Sequence, residues 1–370
     1  MAWRRWFCSW IGFAAILIAA PGRADPLTPF VGPSQPVTVA DVLPHFERPE
    51  CRSNEFYSEW WSFVFVLEDG YGAYAQFVVS NLGPGDGKAA VRTDLNLPEG
   101  IDFHESSEYE VGKWSSRPDP FELQFGENSV SGPLDALVLR LKNSSFEAEY
   151  RLKNVFPSWK PGRGHVQYGE SASRYYEIQL IAPVARMEGT IRVAGESEPR
   201  KVRGLMYVDH SVSTIGMHEQ AKRWVRFRSL NPDTAFFLTH IAPPDQYGDK
   251  PAQYAVLFRD GRVQFETLAF DLKFGDVRPD PEKAGYASPW VVEASGANGT
   301  RFRAAIKATK MTSREDYLET VGAAKRFVLS KFAKPIMYYF DAAYAVETPA
   351  DGGGKKYGGK GRYYFTIVNP

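Results

Sequence analysis

The sequence is poor in the residues that hold metals or carry redox and covalent chemistry. It has two cysteines, Cys8 and Cys51, and six histidines among 370 residues. It contains no CxxC pair, no HxxxH or HExxH spacing, and no GxSxG or GxGxxG motif. Dithiol, zinc, serine-hydrolase and dinucleotide sites are usually recognised by those spacings. We therefore predict no metal and no cofactor, and we interpret Cys51 as a structural residue.

The chain also lacks an excess of charge of either sign. It has 44 Lys and Arg residues against 44 Asp and Glu residues. Three of the arginines lie in the first 24 positions, so the rest of the chain has 41 basic and 44 acidic residues, a net charge of −3. Nucleic acids and anionic membranes attract basic surfaces. The balance predicts no nucleic-acid partner and gives no support to polybasic membrane binding.

Long hydrophobic runs are missing after the N-terminus. Residues 1–24 read MAWRRWFCSWIGFAAILIAAPGRA, in which two arginines precede an apolar run and small residues precede a cleavage position after Ala24. This is the pattern of a secretory signal peptide, and the run is short for a membrane span. We expect a periplasmic or secreted chain, with no stable membrane insertion after the signal is removed.

Aromatic residues and strand-like alternation are abundant. The chain has 25 Phe, 19 Tyr and 9 Trp residues. In segment 222–230, Val225 and Phe227 alternate with Arg226 and Arg228, which predicts a half-buried antiparallel strand with the arginines on its polar face. The same alternation recurs along most of the chain, which indicates an all-β protein.

One segment has a helical pattern. Thr312 and Ser313 form a candidate N-cap, Glu315 favours the first turn, and the pattern runs to about Lys331 before Pro335. We therefore predict one short helix near the C-terminus.

A stretch rich in Pro and Gly, residues 156–171, is the best candidate for a linker. It would separate an N-terminal domain, residues 25–155, from a C-terminal domain, residues 172–370. Two domains agree with the length of the chain.

A faint repeat, offset by 164 residues, supports a tandem arrangement. Trp60 and Phe63 precede a turn and a strand, as Trp224 and Phe227 do in the second half. Two similar barrels would explain the repeat, although an aromatic-rich chain also produces such matches by chance.

Four segments of the chain resemble the tandem lipocalin-like superfamily. This group includes carotenoid 1,2-hydratases, yeast survival-factor-like proteins, kievitone hydratase and lipocalin-like Diels–Alderases. The segments are NEFYSEWWSFVFVLEDGYGAYAQFVVSN (54–81), WKPGRGHVQYG (159–169), GLMYVDHSVSTI (204–215) and AKPIMYYFDAAYAVE (333–347).

The resemblance implies two tandem lipocalin-like antiparallel β-barrels and a hydrophobic ligand. It leaves open whether that ligand is carried or converted, because both occur in the group. One departure concerns the residues after Asp209-His210: the family often has Asn-Trp-Gly, whereas this chain has Ser211-Val212-Ser213. The departure weakens the transfer of an enzymatic role.

Glu59 is the first candidate catalytic residue. On a strand it shares one face with Trp61, Phe63 and Phe65. A carboxyl group among aromatic rings has a raised pKa and can donate a proton. The alternative is a structural Glu at the open end of a strand, bonded to backbone or to an arginine.

Asp209 and His210 are the second candidate pair, with Tyr207 beside them. On a regular strand Tyr207 and Asp209 share one face and His210 lies on the other, so the pair cannot act together unless the strand bulges. Asp209 either caps a turn, or orients or protonates a ligand beside Tyr207. In a third interpretation His210 is the acid–base residue, and Asp209 fixes its tautomer.

A ligand cavity would be lined by aromatic residues of the first hairpin and its counterpart. The candidates are Trp61, Phe63, Trp224 and Phe227. His240, near the end of the segment TAFFLTHI, either caps a strand or joins this lining.

Three functions agree with these features. The first is an exported carrier of a lipid or isoprenoid in a lipocalin-like cavity. The second is a cofactor-free hydratase, isomerase or cyclase that acts on such a substrate. The third is a scaffold or assembly protein of the cell envelope.

Overall fold

The chain is folded almost entirely into antiparallel β-strands, as a computed structural model shows. The structure describes residues 26–68, 72–81, 87–96, 102–319, 326, 330, 333–349 and 354–368. The expected signal peptide, residues 1–24, lies outside the described residues. In the described part of the chain, no helix has the length and apolar character to cross a bilayer.

The strands form two curled sheets, one nearly closed into a barrel and the other a half-barrel. The all-β tandem lipocalin-like fold is thereby confirmed. The first sheet contains β1 Leu27–Thr28, β2 Ser58–Leu67, β3 Gly72–Ser80, β4 Lys88–Asn96, β5 Asp102–Tyr109, β6 Trp114–Pro118, β7 Phe121–Phe125, β8 Asn128–Ser131, β9 Val138–Lys142, β10 Phe146–Asn154, β11 His165–Tyr168, β12 Tyr175–Val193 and β13 Arg200–Ser213. The second contains β14 Arg223–Arg228, β15 Thr234–Ala242, β16 Ala252–Arg259, β17 Arg262–Thr267, β18 Phe270–Pro279, β19 Ala287–Gly296, β20 Arg303–Asp316, β21 Ile336–Thr348 and β22 Lys355–Ile367.

Strand order shows how each sheet closes around its core. The first sheet has the order β5-β4-β3-β2-β13-β12-β10-β9-β8-β7-β6, with β11 joining β1 to β12. The second has the order β17-β16-β15-β14-β22-β21-β20-β19-β18. Strands β2 and β13 each have a neighbour on both sides in the first sheet, as β14 and β22 do in the second.

The two sheets divide between Ser213 and Arg223, not at residues 156–171. Strands β12 and β13 belong to the first sheet, because β12 pairs with β10 and β13 pairs with β2. The expected linker is instead folded onto that sheet: Trp159 forms a bridge with Leu180, and β11 pairs with β12. Pro and Gly in this stretch form turns within the first sheet and do not mark its end.

The buried apolar residues form three clusters. One fills the first barrel and includes Trp61, Phe63 and Phe125, and another fills the second barrel around Phe227. The third lies between the sheets, where residues of the outer face of the first sheet, such as Tyr207, meet residues of the second. We call this third region the inter-sheet layer.

The predicted helix is wrong at its start. Residues 312–316 are part of β20, which pairs with β21 as far as Asp316. Pairing with a long neighbouring strand outweighs the local capping pattern. Most of the remaining predicted helix lies outside the described residues, although the N–H of Ser330 does donate to the carbonyl of Arg326 at 2.9 Å, a helical spacing.

The sequence repeat corresponds to equivalent hairpins. Trp60 and Phe63 lie on β2 and Trp224 and Phe227 lie on β14, and each strand continues into a hairpin with the next. In both hairpins the Trp packs on the inter-sheet layer and the Phe packs inside its barrel.

A short N-terminal segment packs on the core of the first barrel. It contains α1 Val39–Val42, a 3-10 turn His45–Glu47 and α2 Pro49–Arg52; elsewhere lie α3 Met217–Gln220 and a 3-10 turn Asp245–Tyr247. Val42, Phe46 and Cys51 of this segment are buried in the core of the first barrel.

Candidate functional site

The first barrel contains a buried polar cluster centred on Glu59. The Glu59 carboxylate accepts hydrogen bonds from the backbone N–H of His45 at 2.8 Å and from the hydroxyl of Tyr57, and its Oε1 lies 2.7 Å from Nε2 of His210. Glu59, Tyr57 and His210 have no exposed surface. The ring of Trp61 stacks on the imidazole of His210 with centroids 4.8 Å apart.

Strand register explains why Glu59 and His210 meet. Glu59 lies opposite Val212 on β13, and His210 lies opposite Trp61 on β2, so the two side chains are diagonal neighbours on the inner face. Diagonal neighbours on paired strands are within reach of long side chains.

More titratable groups extend this cluster toward the surface. Oε2 of Glu177 lies 3.7 Å from Nδ1 of His45, and Oε1 of Glu177 lies 2.8 Å from Nδ1 of His165, which is about one-third exposed. Burial lowers the pKa of His45, although the charge of Glu59 opposes that effect. His45 is therefore held as a neutral imidazole.

The hydrogen bonds of the interior cluster have a structural role, because they connect the first sheet to the N-terminal segment. Glu59 holds the 3-10 turn through the N–H of His45, and Nε1 of Trp61 donates to the carbonyl of Val42 at 2.9 Å. Both bonds connect the sheet to the N-terminal segment. Large buried side chains such as Phe77 and Phe125 occupy the rest of the interior. This arrangement matches the alternative in which Glu59 is bonded to backbone.

Asp209 lies on the opposite face of the same sheet, in the inter-sheet layer. Its Oδ2 is 3.3 Å from Nη2 of Arg228 on β14, so the two residues form an ion pair between the sheets. Their side chains are 2% and 10% exposed, which makes this a buried pair. Oδ1 of Asp209 and Nε of Arg228 are buried and have no hydrogen-bond partner among the described residues.

Tyrosine rings surround the ion pair. The guanidinium of Arg228 lies over the ring of Tyr207 at 4.3 Å and near that of Tyr364 at 5.5 Å. Burial raises the pKa of Tyr254 to about 12 and that of Tyr207 well above its ordinary value. These phenols therefore keep their protons at neutral pH and can donate hydrogen bonds.

Arg228 remains cationic in this layer. Burial opposes its charge, but Tyr207 and the Asp209 carboxylate overcome that effect and raise the pKa of the guanidinium. Arg226, two residues earlier on the same face, is half-buried in the layer. The expectation that both arginines lie on a polar outer face is wrong for Arg228, because the outer face of β14 packs against the first sheet.

Asp209 and His210 lie on opposite faces of the first sheet. Strand β13 is regular from Asp209 to Ser213 where it pairs with β2, so the two side chains point to opposite faces. Asp209 therefore does not cap a turn, and Glu59, not Asp209, is the carboxylate beside His210. Asp209 and Tyr207 do lie together, as their shared face predicts.

The expected ligand-lining residues are distributed over three places. Trp61 and Phe63 lie inside the first barrel, Phe227 lies inside the second, and Trp224 packs on the inter-sheet layer. His240 lies within β15, and burial together with the charge of Arg223 lowers its pKa to about 4. These residues are not gathered around one cavity.

Two surface clefts lie away from these clusters. One, of about 440 Å³, lies between the β14–β15 loop and β22 and is lined by residues that include Asn231 and Lys360. The other, of about 290 Å³, lies outside Phe46 and Trp114 at the end of the first barrel. Within the described ranges, no three His, Cys, Asp or Glu side chains are grouped so that they could hold a metal ion.

Solved structures share the fold of this chain. A protein provisionally named AttH from Nitrosomonas europaea is 17% identical with a TM-score of 0.55, and the match covers 88% of this chain and 98% of the other. CghA, crystallised with Sch210972, is 12% identical with a TM-score of 0.57 and coverage of 85% and 89%. Kievitone hydratase from Nectria haematococca is 12% identical with a TM-score of 0.51 and coverage of 93% and 98%.

At these identities the similarity shows the fold alone. No protein-family model matches the chain, and no curated protein matches it either.

Proposed function

We propose that the chain is a cofactor-free enzyme of the hydratase or isomerase type that acts on an apolar, unsaturated substrate such as an isoprenoid. The observation that carries the proposal is the buried Asp209–Arg228 ion pair between the two sheets, ringed by tyrosines. Burying such a pair rarely stabilises a fold more than apolar packing would, so its presence favours a functional interpretation.

The inter-sheet layer has the chemistry that such a substrate requires. Tyrosine faces provide apolar contact, and they attract positive charge that develops on a carbon chain. The ion pair provides one acceptor, Oδ1 of Asp209, and one donor, Nε of Arg228, that protein atoms do not occupy. We assign to this pair the orientation of a polar group at one end of the substrate.

The fold shared with kievitone hydratase supports this proposal over a carrier. We retain export to the periplasm as part of the proposal, on the basis of residues 1–24 alone.

Deuterium incorporation tests the proposal without knowledge of the natural substrate. The chain is incubated in D2O, with no added cofactor, with geraniol, farnesol, geranylgeraniol and an acyclic carotenoid, and the products are analysed by mass spectrometry. We expect the chain to catalyse the incorporation of deuterium, or the addition of D2O, into at least one of these four substrates. Incorporation that never exceeds the protein-free rate would refute the enzyme and return the carrier to first place.

Asp209→Asn is the informative variant, and Asp341→Asn is its control. Asp341 forms an exposed ion pair with Arg362 and lies on β21 of the second sheet. Because Asp209 orients the substrate, its loss should reduce kcat/KM by at least about tenfold, which corresponds to about 1.4 kcal/mol. Asp341→Asn should leave kcat/KM unchanged.

A further inference from the structure

The inter-sheet layer holds more positive than negative charge beside its ion pair. Arg226 and Arg228 lie two residues apart on β14 and share the face that packs against the first sheet, so their Cα atoms are about 7 Å apart. Asp209 pairs with Arg228. Because an arginine keeps its proton at physiological pH, two guanidinium groups and one carboxylate leave one positive charge without a counter-charge.

That unmatched charge belongs to Arg226. In the part of the chain that the structure describes, Arg226 forms no ion pair and no hydrogen bond, and its Nε is buried without a partner. The tyrosine rings of the layer do not replace a counter-charge, because Tyr207 and Tyr364 lie against the guanidinium of Arg228. Arg226 therefore has free N–H donors and a positive charge between the two sheets.

The other carboxylates around the layer are bonded elsewhere. Each lies 2.7–2.9 Å from another side chain: Asp94 from His104, Glu266 from Trp159 and Glu315 from Tyr339. Glu315 follows a bulge in β20, where the pairing with β21 shifts in register. Burial raises the pKa of the nearby Tyr317, the charge of Glu315 raises it further, and the charge of Arg92 lowers it, so Arg92 lies with this second group. None of these carboxylates neutralises Arg226.

A buried guanidinium without a counter-charge is unfavourable unless a bound group compensates it. Moving a charge out of water has a large cost, which an opposite charge or several hydrogen bonds must offset. Asp209 offsets this cost for Arg228, and no described residue does so for Arg226. The arrangement points to an anion that binds at Arg226 and that the described chain does not supply.

Protonated hydroxyl groups lie around the same guanidinium. Burial raises the pKa of Tyr176, and the charge of Arg226 is the strongest influence that opposes it. Burial likewise raises the pKa of Tyr254 to about 12, again opposed most strongly by Arg226. Both phenols are thus within electrostatic reach of Arg226 and keep their protons at neutral pH. A guanidinium with neighbouring hydroxyl donors is a set of groups that suits a carboxylate.

Side chains do not fill the layer completely around Arg226. Arg226 is half-buried, and so is Tyr364, which lies opposite it on β22. Tyr74 of the first sheet is also half-buried, although it is within electrostatic reach of both members of the ion pair. Close packing would cover residues that lie between two sheets. Their remaining exposed surface gives a ligand group a place to contact the guanidinium.

We propose that Arg226 binds a carboxylate group at the end of the substrate, so that the substrate is an unsaturated apolar acid. This inference rests on the proposed function, which places the substrate in the inter-sheet layer, and adds to it the charge of the polar end. A carboxylate matches one unpaired positive charge, whereas a phosphate monoester carries about −1.5 to −2 at pH 7. A guanidinium also presents two parallel N–H groups that fit the two oxygens of a carboxylate.

Three ligands with one chain and different end groups test the proposal. Geranylgeranoic acid, geranylgeraniol and geranylgeranyl phosphate are titrated at neutral pH, and binding is followed by tryptophan fluorescence. The unmodified chain should bind the acid at least about tenfold more tightly than the alcohol, and the phosphate no more tightly than the acid. Arg226→Met should bind the acid and the alcohol equally. Arg223→Met, at an exposed position on the opposite face of β14, should keep the preference.

Urea unfolding separates a binding residue from a structural one. Because Arg226 has no partner among the described residues, Arg226→Met without ligand should unfold at the same urea concentration as the unmodified chain or at a higher one. The acid should raise the urea midpoint more than the alcohol does in the unmodified chain and in Arg223→Met, but not in Arg226→Met. A lower midpoint in Arg226→Met, with the preference for the acid intact, would show a structural arginine and overturn the proposal.

The remaining outcomes distinguish this inference from the function on which it rests. Equal affinity of the unmodified chain for the acid and the alcohol overturns the carboxylate site, and so does tighter binding of the phosphate. Catalysed incorporation of deuterium without a preference for the acid leaves the enzyme standing and overturns the carboxylate site. A preference for the acid that Arg226→Met abolishes, without incorporation into any of the three ligands, overturns the enzyme and supports the carboxylate site.

Discussion

Replacing Asp209 by Asn should destabilise the chain by more than the loss of one hydrogen bond. The side chains of Asp209 and Arg228 are 2% and 10% exposed and 3.3 Å apart, so the variant leaves a buried guanidinium without its counter-charge. Removing one partner of a buried pair costs about 3–5 kcal/mol, against about 1 kcal/mol for a neutral hydrogen bond. The ring of Tyr207, 4.3 Å from the guanidinium, retains about 1–2 kcal/mol of attraction. We expect a net loss of about 1–4 kcal/mol in the free energy of unfolding.

A double-mutant cycle isolates the interaction. Urea unfolding, followed by tryptophan fluorescence and circular dichroism, is measured for Asp209→Asn, Arg228→Met and the double variant. The double variant should lose less than the sum of the single losses by about 1–3 kcal/mol, because no buried charge remains unpaired. Asp341→Asn, which breaks the exposed pair with Arg362, should cost at most about 1 kcal/mol. If each single variant loses less than about 1 kcal/mol of unfolding free energy and the two losses are additive, the two sheets do not bury this pair.

Two more predictions follow from buried groups outside the inter-sheet layer. Glu59→Gln should lower the free energy of unfolding by about 2–4 kcal/mol and increase hydrogen exchange in residues 38–54, because the carboxylate binds the 3-10 turn and His210. Glu47→Gln, at an exposed position, is the control. Equal hydrogen exchange in the two variants would contradict this structural role of Glu59. His240 has a folded pKa of about 4, below that of the unfolded chain, so the stability that its neutral form contributes is present above about pH 6.5 and is lost as pH falls toward 4. Between pH 7 and pH 5 the free energy of unfolding of His240→Gln should therefore fall by about 1–2 kcal/mol less than that of the unmodified chain. An equal fall in both proteins would disprove this.

Period-two alternation predicted which side chains share a face, but not what each face meets. It placed Glu59 with Trp61 correctly and put Asp209 and His210 on opposite faces, since alternation is a property of a single strand. It could not pair Glu59 with His210, because that contact depends on the register of two strands 151 residues apart in sequence. A conventional pattern search would not find such a pair.

The arginines of β14 show a second limit of the sequence. Alternation predicts that Arg226 and Arg228 lie opposite the core, and they do lie opposite the core of the second barrel. A single-strand pattern carries no information about a second sheet on the other face. In the structure β14 has a neighbour on each side in its sheet, and its outer face packs against the first sheet.

Glu315 illustrates the same limit for a residue whose local sequence pointed to a helix. Capping residues and acids in a first turn are genuine helix signals, but each is worth about 1 kcal/mol. The strand that replaced the helix gains pairing with β21 over its full length, from Arg303 to Asp316. Tertiary pairing therefore decided the structure, and the resulting bulge, which no local pattern encodes, set the direction of Glu315.

In the proposed enzyme, the reacting groups lie on a surface that the two sheets share. A barrel interior is closed by its own side chains, as Trp61, Phe77 and Phe125 close the first one. Groups brought together across two sheets keep separate supports, so Asp209 comes from one sheet and Arg228 from the other. Asp209→Asn is therefore the most direct test of the proposed enzyme, because it removes one partner of the ion pair between the sheets.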